Sequence, residues 1–237
     1  MIRDDPTGAV ACVTGRVVAA ETATAAQRWF EEFGDFDKGG DRTVWSLRPP
    51  PAALPGQPGP HSVFFPYTAG EMGTGNNMLF RTAVLRALGG FDEALGTGSP
   101  ARGGEDLDVY RRIVLAGWVL VYTPDAVVRH RHRDTPRALR TQMFGYGAGM
   151  AASLTKVLVG GGPPARALLR RLPRGVYMLV WPSSAKNQKF PARTPPSLVV
   201  AETLGYLAGP LLYARSVVRA RRGRAPAAPP GHPGTHR

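Results

Sequence analysis

Thiols are nearly absent from this sequence. Cys12 stands alone among 237 residues, so no intrachain disulfide can staple the fold, and a reducing compartment is expected. Its alanine and valine neighbours mark it as inert packing. Long apolar runs are missing as well: no uninterrupted stretch reaches about eighteen residues, and no basic, apolar and small-residue segment of the secretory kind opens the chain. The expectation is a cytoplasmic protein, neither exported by a classical signal nor clearly membrane-spanning.

Acids are scarce, but only at one end. Residues 1–150 hold 16 Lys/Arg and 16 Asp/Glu, whereas residues 151–237 hold 14 Lys/Arg and the single acid Glu202. The whole formal net charge of +13 therefore lies after residue 150. An excess confined to one appendage points to an anionic partner: a membrane surface, a lipid phosphate or nucleic acid. The plainer reading is a solvated arginine-rich tail reflecting composition bias, since lysine makes up only 4 of the 30 basic residues. Bias accounts for arginine over lysine but not for the missing acids.

What is present suffices for a core: 43% of the residues are apolar, over a length that suits one large domain or a domain with an appendage. The chain is organised around residues 103–133, GGEDLDVYRRIVLAGWVLVYTPDAVVRHRHR. Two glycines and the acids Glu105, Asp106 and Asp108 open a predicted helix. Its apolar face, Leu107, Tyr110 and Val114, follows i, i+3, i+7 spacing, and it should stop at Gly117. Residues 118–122 read as a strand, Pro124-Asp125 as a turn, and Ala126 onward as a second strand. Period two there sets Val128, His130 and His132 on one face and Arg129, Arg131 and Arg133 on the other. Carboxylates and imidazoles are thereby brought together.

Upstream, residues 10–19 read as a strand in which Gly15 marks a bulge or a close backbone approach. Residues 21–33 read as a helix burying Ala26, Trp29, Phe30 and Phe33. Residues 34–60, including PPPAALPGQPGP, are too rich in proline and glycine for regular structure and read as decoration rather than a flap. A short strand at 63–67 leads through AGEMGTGNN into the run MLFR and a helix at 83–88. GTGNN lacks the spacing and the lysine of a phosphate-cradling loop, and Asn76 and Asn77 are also turn residues that tolerate positive φ. Asp4-Asp5 reads as surface loop. Beyond Pro136 a helix should carry Leu139, Met143 and Tyr146 on one side, interrupted by Gly145, Gly147 and Gly149. Each glycine costs roughly 1 kcal/mol against alanine, which suggests close packing or a bend. Further on, apolar segments at 176–181 and 198–213 alternate with Arg166, Arg170, Arg171, Arg174 and the cluster 215–224. That pattern suits helices lying on a membrane, with arginines toward the head groups.

GGFDE at 89–93, GGEDLDVYRR at 103–112, AGWVLVYTPDAVVRHRHR at 116–133 and GYGAGM at 145–150, in that order, resemble the C-terminal half of a glycosyltransferase family 2 domain of GT-A fold. The resemblance covers roughly residues 8–155, with looser similarity through 202–216. It implies an α/β fold class: a partial GT-A, Rossmann-like domain at 1–155, a basic, partly amphipathic helical extension at 156–224, and a tail at 225–237 disordered by composition. The implied reaction is inverting transfer of a sugar from a nucleotide diphosphate sugar to a hydroxyl acceptor. By position in the motif Asp106 would be the catalytic base, with Glu105 beside it. Asn77 would line the acceptor side together with Gly75 and Asp92. His130 would complete the site of a divalent metal, Mn²⁺ or Mg²⁺. A basic extension on the inner face of the plasma membrane would suit a lipid-linked acceptor. The family's nucleotide-binding half, with its Asp-x-Asp, is not recognisable here. The expectation is therefore a truncated copy or a misplaced start, with little activity alone, a metal only when the missing half is present, and sheet edges that invite a partner chain.

The chemistry of these residues is coherent. A carboxylate is a weak base, yet it accepts a proton as the attacking hydroxyl acidifies in the transition state. Neighbouring acids would raise the proton affinity of Asp106 and the helix N-terminus would lower it. Acids also favour the first helical turn with no catalytic role at all. Glycoside hydrolysis, another two-carboxylate chemistry, is poorly served, because adjacent helical residues diverge by about 100°. A basic nucleic-acid-binding protein would need stacking aromatics or a recognition helix, and neither is recognisable. An inactive remnant or a partner-dependent subunit differs from an enzyme only in what lies upstream.

Overall fold

A computed structural model describes residues 2, 5–33, 36–181, 183–184, 188 and 194–223. Five strands form one mixed sheet: β1 (Val10–Ala19), β2 (Thr43–Trp45), β3 (Gln57–Pro58), β4 (Met78–Phe80) and β5 (Val119–His130), in the order β3-β2-β5-β1-β4. β1 and β5 run parallel through its centre, while β4 and β2 pair with them antiparallel. The β-branched residues of β1 suit this central position, and Ala11, Cys12 and Val17 are almost fully buried.

One side of the sheet carries Ala11, Cys12 and Leu120 against Tyr110, Ile113 and Val114 of helix α3 (Glu105–Leu115). The other gathers Val10, Val13, Val44, Val119 and Val121, with Ile2 and Leu54 packed over them. Burial pushes the Cys12 thiol well above its ordinary range, which keeps it protonated and inert. Helix α3 ends as expected: Ala116 caps it, Gly117 takes φ 87°, and Gly117 and Trp118 donate to Val114 and Ile113 in a Schellman closure.

Helix α1 (Ala25–Phe33) starts later than expected because Thr24 and Gln27 form a capping box. Each backbone N–H donates to the other's side chain, at 3.0 and 3.3 Å. Ala26 and Phe30 are buried on it. Helix α2 (Thr82–Ala87) follows β4 directly.

Four expectations need correction. Residues 34–60 are not decoration, since β2 and β3 both lie there and Trp45 joins the main core. The strand expected at 63–67 is a turn, with Phe65 and Tyr67 donating to Ser62 and Phe64, because Pro66 has no N–H for a ladder. Pro124-Asp125 does not end a strand: β5 runs on and bulges, so that Gly15 faces Thr123 while Arg16 already faces Val127. Asp5 is not loose surface. Its carboxylate is 1% exposed beside Arg81 and accepts from the N–H of Val10 at 2.8 Å. Its neighbour Asp4 and the tail 225–237 lie outside the described residues.

The remainder is helical: α4 (Pro136–Gly160), α5 (Gly162–Leu169), α6 (Leu172–Val180) and α7 (Pro196–Gly223). Thr135 caps α4 by accepting from Ala138, and Pro136 occupies its first turn. The three glycines do not interrupt α4, and of the two expected readings close packing is the one the contacts support. A methyl group on Gly147 would collide with the Glu202 carbonyl of α7, and one on Gly205 with the Phe144 carbonyl. Leu198 packs with Leu139 and Met143, Gly205 meets Phe144 and Ala148, and Gly209 meets Ala151 and Ala152, so the two helices lie parallel. The domain boundary expected at 155 therefore falls inside α4, and part of the expected extension packs on the domain it was to follow.

Candidate active site

Two glycines build the start of α3. Gly104 occupies the N-cap position at φ 94°, a left-handed conformation that costs a side-chain-bearing residue free energy. A methyl on it would strike the Gly149 carbonyl of α4, and one on Gly149 would come within 2.7 Å of the Gly103 backbone. Backbone thus rests on backbone, and α4 fixes where α3 begins. A bridge between Gly96 and Gly103 closes the preceding loop. Ser216 of α7 accepts from the Ala101 N–H at 2.9 Å, so all three elements hold it.

Asp106 is held from two directions. Its Oδ2 accepts from the Gly75 N–H at 3.0 Å and its Oδ1 from the Leu107 N–H at 2.8 Å. Burial pushes the carboxyl above its ordinary range, and the two N–H groups offset part of that. Glu105 is raised too, by burial first and by the neighbouring Asp106 charge in addition. Both acids therefore bind protons more readily than free carboxylates, which is what a proton acceptor near neutral pH needs. Burial decides the competition that the sequence left open.

The loop carrying Gly75 is anchored from behind. Tyr110 donates its hydroxyl to the Thr74 carbonyl at 3.0 Å, and Thr14 donates to the Met72 carbonyl at 2.6 Å. The Thr74 hydroxyl oxygen is buried with no hydrogen-bond partner among the described residues. That group was missed in the sequence, where Gly75 and the asparagines of GTGNN drew attention but Thr74 did not. Asn77 donates its amide to the carbonyls of Arg16, at 3.1 Å, and Ala126, at 2.8 Å, bridging β1 and β5 where the bulge leaves their ladder open. Neither asparagine takes a positive φ; among the described residues Arg102 is the one non-glycine that does.

Asp108 does different work from its neighbours. Its carboxylate, 2% exposed, meets Arg111 at 2.9 Å, Arg112 at 2.7 Å and Lys156 of α4 at 2.8 Å. Burial alone would raise this carboxyl, but the three cations outweigh it and hold it below its ordinary range. Lys156 also reaches Asp92 at 2.8 Å. Asp92, expected on the acceptor side, is thus engaged in the bracket between α3 and α4. The Asp108–Arg111/Arg112 spacing was a readable signal for half of this network; Lys156 was not.

His130 stands apart from that centre. Its Nδ1 lies 3.3 Å from the Nδ1 of His132, and its ring meets Phe36 edge-on at 5.2 Å. Burial, with His132 and Arg133 adding to it, lowers its proton affinity, so the ring is neutral. His132 shares the strand face of His130 in the sequence reading. In the structure it is buried, its Nε2 2.6 Å from Glu31 and its ring 4.5 Å from Phe30. Among the described residues no group of three or more His, Cys, Asp or Glu side chains gathers to hold a metal ion.

The structure brings Gly75 and Asp106 into contact, places Glu105 and Asn77 on the same two elements, and sets Asp92 on the Lys156 bracket. Residues 65–147, which contain all of these and His130, match the family model described as Glycosyltransferase like family 2. The mixed α/β sheet with its helices is consistent with a partial GT-A-like domain, a glycosyltransferase class of fold. More particularly, over this span the chain is similar to glycosyltransferase family 2, which supports a partial domain of that family. No curated protein and no solved structure matches the chain.

Proposed function

We propose that this protein serves inverting glycosyl transfer from a nucleotide diphosphate sugar to a hydroxyl acceptor, supplying the catalytic base and the acceptor side of the site. The observation that supports this most is the Asp106 carboxylate. It sits at the first turn of α3 inside the matched span, oriented by the N–H groups of Gly75 and Leu107, with its proton affinity raised by burial. As the acceptor oxygen bonds to the anomeric carbon and the bond to the diphosphate breaks, Asp106 takes the hydroxyl proton. Glu105 is the second acid of this turn, its own proton affinity raised by burial and by the Asp106 charge. Thr74, Gly75 and Asn77 lie on the loop across from Asp106, where an acceptor would rest.

The donor side is proposed to come from elsewhere, because the described residues gather no acid cluster for a diphosphate-bound cation. His130 would contribute one neutral imidazole to such a cation, Mn²⁺ or Mg²⁺. No step is derived through it. On this reading the chain is partner-dependent, with little activity alone.

The reading is tested in a chimera carrying a family 2 nucleotide-binding half ahead of Met1. Asp106→Asn should leave folding and donor binding in place while lowering transfer by roughly 10²–10⁴-fold, because proton acceptance alone is removed. Turnover close to that of the unsubstituted chimera would end the assignment.

A further inference from the structure

We infer that the outward faces of α6 and α7 dock on an anionic lipid surface, an inference independent of the sugar-transfer reading. Helix α7 has a packed side and, opposite it, an exposed apolar side. Leu198, Glu202, Gly205, Gly209 and Ser216 face inward, and the buried Leu198, Glu202 and Ser216 are at most 5% exposed. Val200, Leu204, Leu207, Leu211 and Val218 are 49–74% exposed. At about 100° per residue these five fall within roughly 40° of one line, directly opposite the packed side. The single acid after residue 150, Glu202, belongs to the packed side, so the outer stripe has no negative charge along it.

Helix α6 shows the same composition in shorter form. Val176, Tyr177, Val180 and the following Trp181 are 51–69% exposed, and the two aromatic rings stack at 5.9 Å. Arg170 and Arg174 are exposed beside them. Arg171 donates to the Val63 carbonyl at 3.0 Å and lies over the Tyr67 ring at 5.4 Å. That contact ties α6 to the turn leading to the Thr74–Gly75 loop.

Three kinds of occupant could cover this surface. A second copy of the chain would add like charge to like charge, since Arg215, Arg219, Arg221 and Arg222 close α7. A nucleic acid would satisfy the arginines but leave Leu207 and Leu211 in water. A bilayer of acidic phospholipid satisfies both groups: acyl chains receive the aliphatic stripe, the interface receives Tyr177 and Trp181, and the head groups receive the arginines. The segment Pro196–Arg222 is long enough to cross a membrane and holds an 18-residue window of mean hydropathy 1.3. One side of it is committed to α4, however, so the helix lies along the surface instead of crossing.

The test is flotation of the full 237-residue chain with vesicles of phosphatidylcholine alone, or of phosphatidylcholine containing about one third phosphatidylglycerol. Binding to the anionic vesicles should be at least about tenfold stronger than to neutral ones and should weaken as salt rises. The double substitution Leu207→Gln/Leu211→Gln, at exposed positions, should keep the melting temperature and reduce binding by about tenfold. Arg170→Gln/Arg174→Gln should reduce binding to anionic vesicles alone, again by about tenfold. Three outcomes overturn the proposal: no flotation with anionic vesicles; flotation unchanged by Leu207→Gln/Leu211→Gln; or a dimer that those substitutions dissolve without any loss of lipid binding.

Discussion

A carboxylate that takes a proton from a sugar-accepting hydroxyl must be ionised beforehand and yet hold that proton once it arrives. Asp106 is arranged for both, since two N–H groups orient its oxygens while burial raises its affinity for the proton. In a carbon-13 titration of side-chain carboxyls its midpoint should lie above the ordinary 3.8, and a midpoint at or below that value would remove the reason for choosing it. The sign for stability follows. With the folded value above the unfolded one, ionised Asp106 costs the fold nothing below pH 3.8 and an increasing amount as pH rises through its raised value. His130 admits a separate check. In the chimera with a nucleotide-binding half, His130→Ala should weaken Mn²⁺-dependent donor binding by about tenfold or more, and an unchanged metal dependence would take it out of the metal site. His132→Ala is an unsuitable control, because that buried ring packs on Phe30 and pairs with Glu31. At this scale the sequence was legible where chemistry is local. Glu105 and Asp106 announced themselves by standing behind two glycines, whereas the separation of Asp106 from Asp108 into different tasks depends on Lys156, forty-eight residues further on.

Elements are where sequence reading succeeded for one half of the chain and failed for the other. β1, α3 and its glycine stop were legible because their signals are local: β-branched runs, helical spacing and a left-handed C-terminal residue. The parallel packing of α4 and α7 was legible only in part: the alternate glycines of α4 pointed to close packing or a bend, but not to α7, whose Gly205 and Gly209 complete the contact from some sixty residues away. β3 was hidden for the complementary reason: Gln57 and Pro58 pair at a sheet edge, where a proline's missing N–H does no harm. The bracket joining α3 to α4 makes a testable claim about how these elements are held. Asp108→Asn leaves Arg111 buried without its counter-charge, which should destabilise the protein by about 3–5 kcal/mol at neutral pH. Because the folded value of Asp108 is depressed, its contribution is present above pH 3.8 and is lost as pH falls through the folded value. The gap in melting temperature between Asp108→Asn and the unsubstituted protein should therefore narrow on acidification. A gap that stays constant down to strongly acid pH would mean that shape, not charge, does the bracing.

Taken whole, the molecule is assembled around one end of α3. The sheet presents Thr14 to the loop carrying Gly75, α4 sets the glycine pair at 103–104, and Ser216 of α7 holds the loop before it. These converge on Asp106, the proposed base, and on the loop of the proposed acceptor side. Among the described residues no group of three or more His, Cys, Asp or Glu gathers to hold a metal ion for the donor. A nucleotide diphosphate carries several negative charges, and in the family the resemblance points to, a divalent cation held by acids compensates them. Here the acids nearest the candidate centre are otherwise engaged: Asp92 and Asp108 pair with Lys156, Asp108 also with Arg111 and Arg112, while Asp106 accepts from the N–H groups of Gly75 and Leu107. His130 offers one nitrogen among aromatic rings, and a cation that prefers six oxygen-rich ligands is not retained by one. Calorimetry of the 237-residue chain with uridine or guanosine diphosphate sugars and Mn²⁺ should accordingly show no saturable binding at micromolar concentrations, and a hydroxyl acceptor should not change that. Adding a nucleotide-binding half should restore donor binding. If the chain alone bound a donor tightly and transferred its sugar, the cation would have to be held by residues other than those described here, and the division of labour between base side and donor side would be wrong.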